Sequence, residues 1–320
     1  MSSTQHPSAG EHRPVMVAEC CAALGLAPGR VVVDGTLGQG GHARVFREAV
    51  RPGGRVIGLD LDPDAIAAVK TWLGDDPEDV TLVHESFENL SAVVGRHAPG
   101  GVDAIFLDLG VSRDQLISGR FSFQGDGPLD FRLDPTQGET AADLLARLSE
   151  TELADLLFEY GDERFARRIA RGVVEARRQE PLRTAGPLVE IIRRAYPANA
   201  RHGRIHIATR TFQALRIAAN GMMTALETAL RDAPRLLKPN GRLAILTYHS
   251  GEDGRVKRAF RDLARTEKGE APTFELITRR PMGPSEAECL ENPGARSARL
   301  RVLAACAGSE PSGSQERSSR

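Results

Sequence analysis

Residues 34–42, with the sequence DGTLGQGGH, have the composition of a turn that binds a cofactor. The turn follows a strand-like apolar run at 30–34 and precedes a segment with helical spacing at 41–50, so backbone amides and a helix N-terminus can face a ligand. A second apolar run ends in Asp60, about twenty residues further on, where a carboxylate can accept both ribose hydroxyls of an adenosine. The pattern predicts a site for an adenosine-containing cofactor.

Two classes of cofactor satisfy this pattern, a dinucleotide and S-adenosylmethionine (AdoMet). Residues 38–43 fit the dinucleotide fingerprint G-x-G-x-x-A. Asp34 favours AdoMet, because a carboxylate directly before the glycines attracts an amine-bearing ligand and repels a pyrophosphate. Asp108 ends a fourth strand beside the expected crevice, and residues 235–246 (RLLKPNGRLAIL) resemble the turn before the fifth strand of many class I methyltransferases. Together these features predict AdoMet, with an NAD-dependent oxidoreductase as the alternative.

Strand-like and helix-like segments alternate in the first third of the chain and again after residue 221. The predicted strands are 30–34, 55–60, 80–84, 102–110 and 242–250, with an antiparallel pair at 273–278 and 297–306; the predicted helices of this part are 41–50, 62–73 and 222–237, and 238–241 is a predicted turn. This alternation predicts an α/β fold, the Rossmann-like doubly wound sheet of a class I AdoMet-dependent methyltransferase.

Helical segments without a convincing buried strand interrupt the alternation from residue 112 to residue 221. We therefore predict a cofactor-binding domain formed by residues 12–111 and 222–306, and a helical substrate-recognition insert at 112–221. The polar, Ser- and Gly-rich ends, 1–11 and 307–320, are predicted to be disordered tails.

The overall composition, with 41% hydrophobic and 27% charged residues, is that of an ordinary globular protein. No apolar stretch approaches the roughly 20 residues of a membrane helix, and the first dozen residues lack the apolar segment of a secretory signal. We therefore expect no membrane partner and a cytoplasmic location. The four cysteines (Cys20, Cys21, Cys289, Cys306) form no C-x-x-C pair, which predicts reduced thiols and no metal site.

The net charge of −1 conceals an uneven distribution of charge along the chain. Residues 164–216 contain 13 arginines and three acidic residues, an excess of ten positive charges. Such an excess is typical of a surface that binds nucleic-acid phosphates. Arg164, Arg167, Arg168 and Arg171 are predicted on one side of a helix and are the candidates for this contact. The alternative is a solvated face whose arginines pair with acids on the preceding turns.

Seven segments, occurring in this order, resemble the bacterial small-subunit ribosomal RNA methyltransferase H family. They are DGTLGQGGH (34–42), LDLGVS (107–112), FSFQGDGPLDFRLD (121–134), GDERFARRIAR (161–171), ATRTFQALRI (208–217), HSGED (249–253) and ENPGARSARLR (291–301). The resemblance implies an AdoMet-dependent enzyme that methylates N4 of a decoding-centre cytidine. Its partner would be small-subunit ribosomal RNA or the assembled small subunit.

The resemblance also implies which residues form the site. The cofactor contacts of the family fall on Gly40, Gly41, His42, Asp60, Phe87, Asp108 and Gln115, and Arg210 joins the four arginines above as a predicted RNA contact. Departures from the family pattern lie on the substrate side: Arg113 and Asp114 replace Ser and Pro, for example. Three alternatives stay open: another RNA acceptor, a small-molecule acceptor, and a non-catalytic relative that binds AdoMet or RNA.

Transfer of a methyl group to an exocyclic cytosine amine requires help from the protein, because the nitrogen lone pair is delocalised into the ring. A carboxylate that accepts the N–H bond localises the lone pair and stabilises the positive charge that develops on nitrogen. Asp108 is the candidate for this catalytic role. His249, at the end of the fifth predicted strand, is the candidate for the later proton acceptor. The alternative is that His249 is a polar cap at the end of that strand.

Overall fold

The computed structural model describes residues 14–74, 77–110, 125–201, 206–266 and 270–308. These residues belong to two compact units, one drawn from Met1–Gly110 and Ala225–Arg320 and the other from Val111–Thr224. The first unit contains the β-sheet, and the second is built from helices. Each unit has its own hydrophobic core.

A seven-stranded sheet forms the centre of the first unit, with the strand order β3-β2-β1-β4-β5-β7-β6. The strands are β1 (Val31–Asp34), β2 (Arg55–Asp60), β3 (Val80–His84), β4 (Val102–Asp108), β5 (Leu237–Thr247), β6 (Phe274–Leu276) and β7 (Arg299–Ala305). Strands β1 to β5 pair in parallel, and β7 pairs antiparallel with both β5 and β6. This confirms the predicted doubly wound α/β fold.

Helices cover both faces of this sheet. In the first unit they are α1 (Val17–Leu24), α2 (Gly41–Val50), α3 (Pro63–Leu73), α4 (Leu90–His97), α10 (Met222–Asp232, which begins just before this unit), α11 (Ser250–Leu263) and α12 (Glu286–Glu291). Side chains alternate between the faces, so Val33 and Ile105 enter one apolar layer while Val32 and Phe106 enter the other. Because both faces are buried, these strands are almost wholly apolar until they end in polar residues.

Two local predictions in this unit were wrong. Residues 238–241 were predicted as a turn before the fifth strand, but β5 starts at Leu237 and contains them. Leu237 pairs with Val102 and Arg242 with Ala104, so the intervening residues form a bulge in which Asn240 has a φ of 63°. The helix predicted to run to 237 ends at Asp232, because Pro234 starts a separate short 3-10 turn.

The second unit consists of helices in its described part. They are α5 (Ala141–Arg147), α6 (Glu150–Gly161), α7 (Ala166–Ala176), α8 (Ala185–Ala195) and α9 (Thr209–Ala219). Reciprocal capping boxes at Thr140 and Ser149 start α5 and α6. A Cβ at Gly161 would lie 2.5 Å from Arg210 O, so glycine there permits the close crossing of α6 and α9. Among the described residues, no helix is both long and apolar enough to cross a membrane.

Candidate cofactor-binding and catalytic site

The turn after β1 lies close to the ends of the neighbouring strands. Gly35 N donates to Phe106 O at 2.9 Å, and Leu37 N donates to Leu59 O at 2.8 Å. A Cβ at Gly35 would lie 2.5 Å from Leu107 Cδ2, so a larger residue would displace the turn from β4. The sequence-predicted turn therefore lies at the carboxyl edge of the sheet, where parallel α/β folds bind their ligands.

Gly40 and Gly41 form the junction between this turn and α2. Gly40 has a φ of 76°, and a Cβ there would lie 2.7 Å from Trp72 Cζ2. A Cβ at Gly41 would lie 3.0 Å from Pro14 Cβ. Both predicted cofactor residues therefore have a packing reason to be glycine. Gly38, by contrast, has open space where its side chain would be, so the backbone there is accessible to a ligand.

Asp60 ends β2 and holds two backbone amides. Its Oδ2 accepts a hydrogen bond from Gly38 N at 2.7 Å, and its Oδ1 accepts one from Asp62 N at 2.8 Å. Burial raises the pKa of Asp60 to about 6, although both amide bonds oppose that shift. A carboxylate has about four acceptor positions, so two further hydrogen bonds, such as those from ribose hydroxyls, remain available at Asp60.

Asp34, at the end of β1, is fully buried. Its Oδ1 accepts from Thr36 N at 3.2 Å, whereas Oδ2 has no hydrogen-bond partner among the residues that the structure describes. Burial, together with the smaller effect of the nearby charges of Asp108 and Asp60, raises the pKa of Asp34 to about 8. A buried carboxyl oxygen without a partner is costly, and the ammonium group of an amino-acid-bearing cofactor would satisfy it. This observation fits AdoMet.

Asp108 ends β4 beside the turn, with its side chain 20% exposed. Its backbone N donates to Thr36 Oγ1 at 2.6 Å, and its Oδ1 accepts from the Tyr248 hydroxyl at 2.8 Å. Burial and the charge of Asp108 raise the pKa of Tyr248 well above its ordinary value, so this hydroxyl keeps its proton and donates it. Tyr248 fixes the orientation of the predicted catalytic carboxylate, and no sequence motif points to it.

His42 lies in the core next to Asp108. Its Nε2 is 2.9 Å from Val15 O, which requires the proton on Nε2. Its Nδ1 is then directed towards Asp108, with Oδ2 at 3.8 Å. The ring also packs against Phe46 and Phe106, at centroid distances of 5.8 and 4.6 Å. These contacts support a role for His42 in positioning the residues around Asp108, and a direct contact with the cofactor stays a prediction.

His249 caps helix α11. Its Nδ1 accepts from Glu252 N at 3.4 Å, so the neutral ring carries its proton on Nε2. That Nε2 lies 2.8 Å from Glu252 Oε1, at an angle unfavourable for a hydrogen bond. Since both nitrogens face Glu252, the geometry does not leave a ring lone pair for a substrate proton. It supports a capping role and gives no support to the predicted role as proton acceptor.

The two remaining predicted cofactor residues are Phe87 and Gln115. Phe87 begins a short 3-10 helix after β3. A Cβ added at Gly35 would lie 3.3 Å from the Cβ of Phe87. It is therefore next to the turn, as a residue covering an adenine would be. Gln115 lies outside the described residues. No cluster of His, Cys, Asp and Glu suited to a metal ion occurs within the described ranges.

The predicted RNA contacts lie in the helical unit. Arg164, Arg167, Arg168 and Arg171 are exposed, although Arg164 precedes α7 and is not part of it. The residues of α7 that face the core include Ile169 and Val173, as the helical spacing predicted. Arg171 forms an exposed ion pair with Glu150 at 3.4 Å, whereas Arg164 and Arg167 form none with any described acid.

Arg164 and Arg210 also meet at a pocket of about 300 Å³ within this unit. Its lining consists of Arg164, Phe165, Tyr196, Ala200, His206, Ile207 and Arg210. Glu163 is fully buried, and its two oxygens each lie 2.9 Å from the hydroxyl of Tyr196, one of the residues that line the pocket. Arg210 donates to Asp162 O at 2.9 Å, which fixes it at the pocket wall. The pocket thus combines cationic and aromatic side chains.

Comparison with known proteins decides the family. The MraW methylase family profile matches residues 9–306. The chain belongs to the MraW methylase family. The Ribosomal RNA small subunit methyltransferase H of Symbiobacterium thermophilum is 44% identical over 304 residues, covering 91% of this chain and 96% of that protein. The enzyme of the same name from Thioalkalivibrio sulfidiphilus is 46% identical over 305 residues, covering 91% and 96%.

The family membership confirms the resemblance found in the sequence. This MraW methylase is an AdoMet-dependent methyltransferase with a class I fold. The buried oxygen of Asp34, the accessible backbone at Gly38 and the acceptor capacity of Asp60 are the features of its structure that suit AdoMet.

Proposed function

We propose that this methyltransferase transfers the methyl group of AdoMet to N4 of a decoding-centre cytidine in small-subunit ribosomal RNA. The single observation that carries the proposal is the placement of Asp108 at the carboxyl end of β4, beside the cofactor turn and held by Tyr248. The names of the relatives support ribosomal RNA as the substrate. The cytoplasm is the proposed location, and the substrate is the free RNA or the assembled small subunit.

Four groups of the first unit would hold the cofactor. Asp34 offers its buried oxygen to the amine end, the open backbone at Gly38 allows the ligand to approach closely, and Asp60 accepts from the ribose. Phe87 offers an apolar face for the adenine. When bound, AdoMet supplies a methyl group activated by its sulfonium, so the remaining task of the protein is to position and polarise the acceptor.

Asp108 performs that task in the proposed mechanism. Its carboxylate accepts a hydrogen bond from the cytosine N4 amine, which concentrates the lone pair on nitrogen and stabilises the positive charge that develops there. The nitrogen would take the methyl group of bound AdoMet as the new C–N bond forms, and would pass its proton to the Asp108 carboxylate that already accepts its N–H, and from there to water. The Tyr248 hydroxyl keeps Oδ1 in place at 2.8 Å, so Asp108 reaches the acceptor without first reorienting.

The helical unit supports the proposal of an RNA substrate. Its exposed arginines at 164, 167, 168 and 171 can neutralise phosphates, and the pocket at Arg164 and Arg210 places aromatic side chains beside cationic ones. Aromatic faces that stack on bases, next to arginines that bind the backbone, are typical of proteins that hold single-stranded RNA. A target base in paired RNA would have to leave its stack to react.

Mass-spectrometric analysis of nucleosides tests this function. Small-subunit ribosomal RNA is isolated from a strain lacking the gene, and from the same strain carrying the wild-type gene or the Asp108→Asn variant. We expect N4-methylated cytidine to disappear on deletion and to return only with the wild type. Unchanged methylation after deletion contradicts the proposal. Loss of a different methylated nucleoside would agree with a methyltransferase but would contradict N4 of cytidine as the acceptor.

A further inference from the structure

Arg216 lies on α9 in the helical unit and is a charged side chain without a counterpart. Its Nε and Nη1 atoms are shielded from solvent, and neither has a hydrogen-bond partner among the residues that the structure describes. Burial lowers the pKa of the guanidinium to about 10, which still leaves it protonated at neutral pH. Two of the three guanidinium nitrogens are therefore buried and unused, although the residue as a whole is only partly buried.

Such an arrangement destabilises the folded protein, because the free energy lost when a charge leaves water is recovered only through hydrogen bonds or an opposite charge. The same unit satisfies another partly buried arginine. Arg177 Nη1 donates to Leu145 O at 2.6 Å and to Leu148 O at 2.7 Å. Arg216 therefore differs from Arg177, because its buried Nε and Nη1 donors are unused.

The surroundings of Arg216 are fixed by residues one turn away on each side. Phe212 packs against Phe131 with a ring separation of 5.3 Å. Asn220 donates through Nδ2 to Phe131 O at 2.8 Å and accepts through Oδ1 from Leu133 N at 2.7 Å. Residues four apart lie on the same side of a helix, so these contacts fix the face of α9 from which Arg216 projects.

We propose that Arg216 is a preformed anchor for one phosphate group of the RNA substrate, an inference that rests on the proposed function. A guanidinium offers paired N–H donors that match two phosphate oxygens. The excess of ten positive charges over residues 164–216 makes a polyanion the natural source of that phosphate. The ligand chemistry is an oxyanion, and two other sources, free phosphate and the carboxylate of AdoMet, are distinguished by the experiment below.

The test compares Arg216→Met with two matched controls. Arg177→Met removes a partly buried arginine whose Nη1 donates to two backbone carbonyls, and Arg194→Met removes an exposed arginine that pairs with Glu190. Three quantities are measured for each protein: the melting temperature without ligand and with inorganic phosphate, the affinity for small-subunit RNA at fixed salt, and the affinity for AdoMet.

Opposite effects on stability and binding are expected for Arg216→Met. Removing an unsatisfied buried charge should raise the melting temperature of the ligand-free protein by about 2–4 °C, whereas Arg177→Met should lower it. RNA affinity should fall about 10- to 100-fold, because a charge-assisted contact is lost, with AdoMet affinity unchanged. Inorganic phosphate should stabilise the wild type more than Arg216→Met. Arg194→Met should change RNA affinity less than about threefold.

Four results would overturn the inference. Arg216→Met could be destabilised like Arg177→Met and bind RNA as the wild type does, which would make Arg216 structural. It could lose AdoMet affinity in place of RNA affinity, which would assign the anchor to the cofactor carboxylate. If the wild type itself does not bind RNA, the proposed function is wrong, and so is the assignment of Arg216 to an RNA phosphate. A wild type that binds RNA, together with an unaffected Arg216→Met, overturns the anchor alone.

Discussion

The hydroxyl of Tyr248 donates a hydrogen bond to Oδ1 of Asp108 across 2.8 Å, although the two residues are 140 positions apart in the chain. They meet because β4 and β5 are parallel neighbours, so the polar residues that follow their apolar segments lie at the same edge of the sheet. Asp108 is thereby fixed by a residue that no cofactor motif contains.

Tyr248→Phe keeps the ring and removes this hydrogen bond. We expect the single-turnover rate of methyl transfer to fall by about tenfold, because one hydrogen bond to a charged group contributes about 1.5–3 kcal/mol and only part of it acts on the transition state. AdoMet affinity should stay within about twofold. Rapid-quench measurements with saturating RNA give the rate, and an unchanged rate would mean that the hydroxyl only fills space.

Asp34 makes the stability of the ligand-free protein depend on pH. Its pKa is raised to about 8 in the folded protein, mainly by burial, so between about pH 4 and pH 8 the folded state retains a proton that the unfolded state has lost. Stability should therefore fall as pH rises through this window, and Asp60, with its pKa raised to about 6, adds to the fall in the lower half.

Asp34→Asn removes the titration of Asp34, which makes the larger contribution to this pH dependence. Urea unfolding at pH 5, 6, 7 and 8 should show a flatter pH profile for the variant, which should exceed the wild type in stability at pH 8 by a few kcal/mol. Parallel profiles for the two proteins would show that Asp34 is ionised in the folded state throughout.

His249 is expected to act as a helix cap. His249→Asn retains a good N-cap residue and should keep both the free energy of unfolding and turnover near wild-type values. His249→Ala should lose about 1 kcal/mol of stability, because the amide of Glu252 loses its acceptor. Chemical denaturation and turnover are measured on both variants. Should the Asn variant fold normally and yet lose more than about 100-fold in turnover, a proton-accepting role would be established.

The exposed arginines of α7 should control the salt dependence of RNA binding. Replacing Arg167, Arg168 and Arg171 with Gln should lower the slope of log affinity against log salt by up to about three, since each phosphate contact contributes about 0.9. The matched control is Arg193→Gln with Arg194→Gln, because both residues already pair with Glu190 at 2.7 and 2.8 Å. Identical slopes for the triple variant and the wild type would remove α7 from the RNA surface.

The strand ends and the cofactor turn were predictable from the sequence because they depend on local patterns. Apolar runs that end in Asp34, Asp60 and Asp108 indicate strands that are buried on both faces and end at a polar edge. The start of α3 was predictable for the same reason, since Asp62 caps it by accepting from Asp64 N at 3.0 Å. Each of these signals lies within a few residues of the feature it predicts.

The features that escaped prediction depend on contacts between distant segments. Residues around Asn240 form a bulge because β5 pairs with β4 both before and after them. Their composition alone indicates a turn. For His249 the sequence left both a catalytic role and a polar cap open, and only the position of Glu252 in the folded helix favours the cap. The unused donors of Arg216 are visible only once its neighbours are in place. Sequence patterns show which residues are polar, but not which of them are satisfied.

Single-turnover methyl transfer by Asp108→Asn tests the central claim, that this carboxylate activates the acceptor amine. Asn preserves the shape of the side chain and removes its charge. We predict that AdoMet affinity stays within about threefold while the rate of methyl transfer to small-subunit RNA falls by about 100- to 1000-fold, the loss typical of removing a group that stabilises transition-state charge. An Asn variant that transfers methyl groups at the wild-type rate would contradict the account.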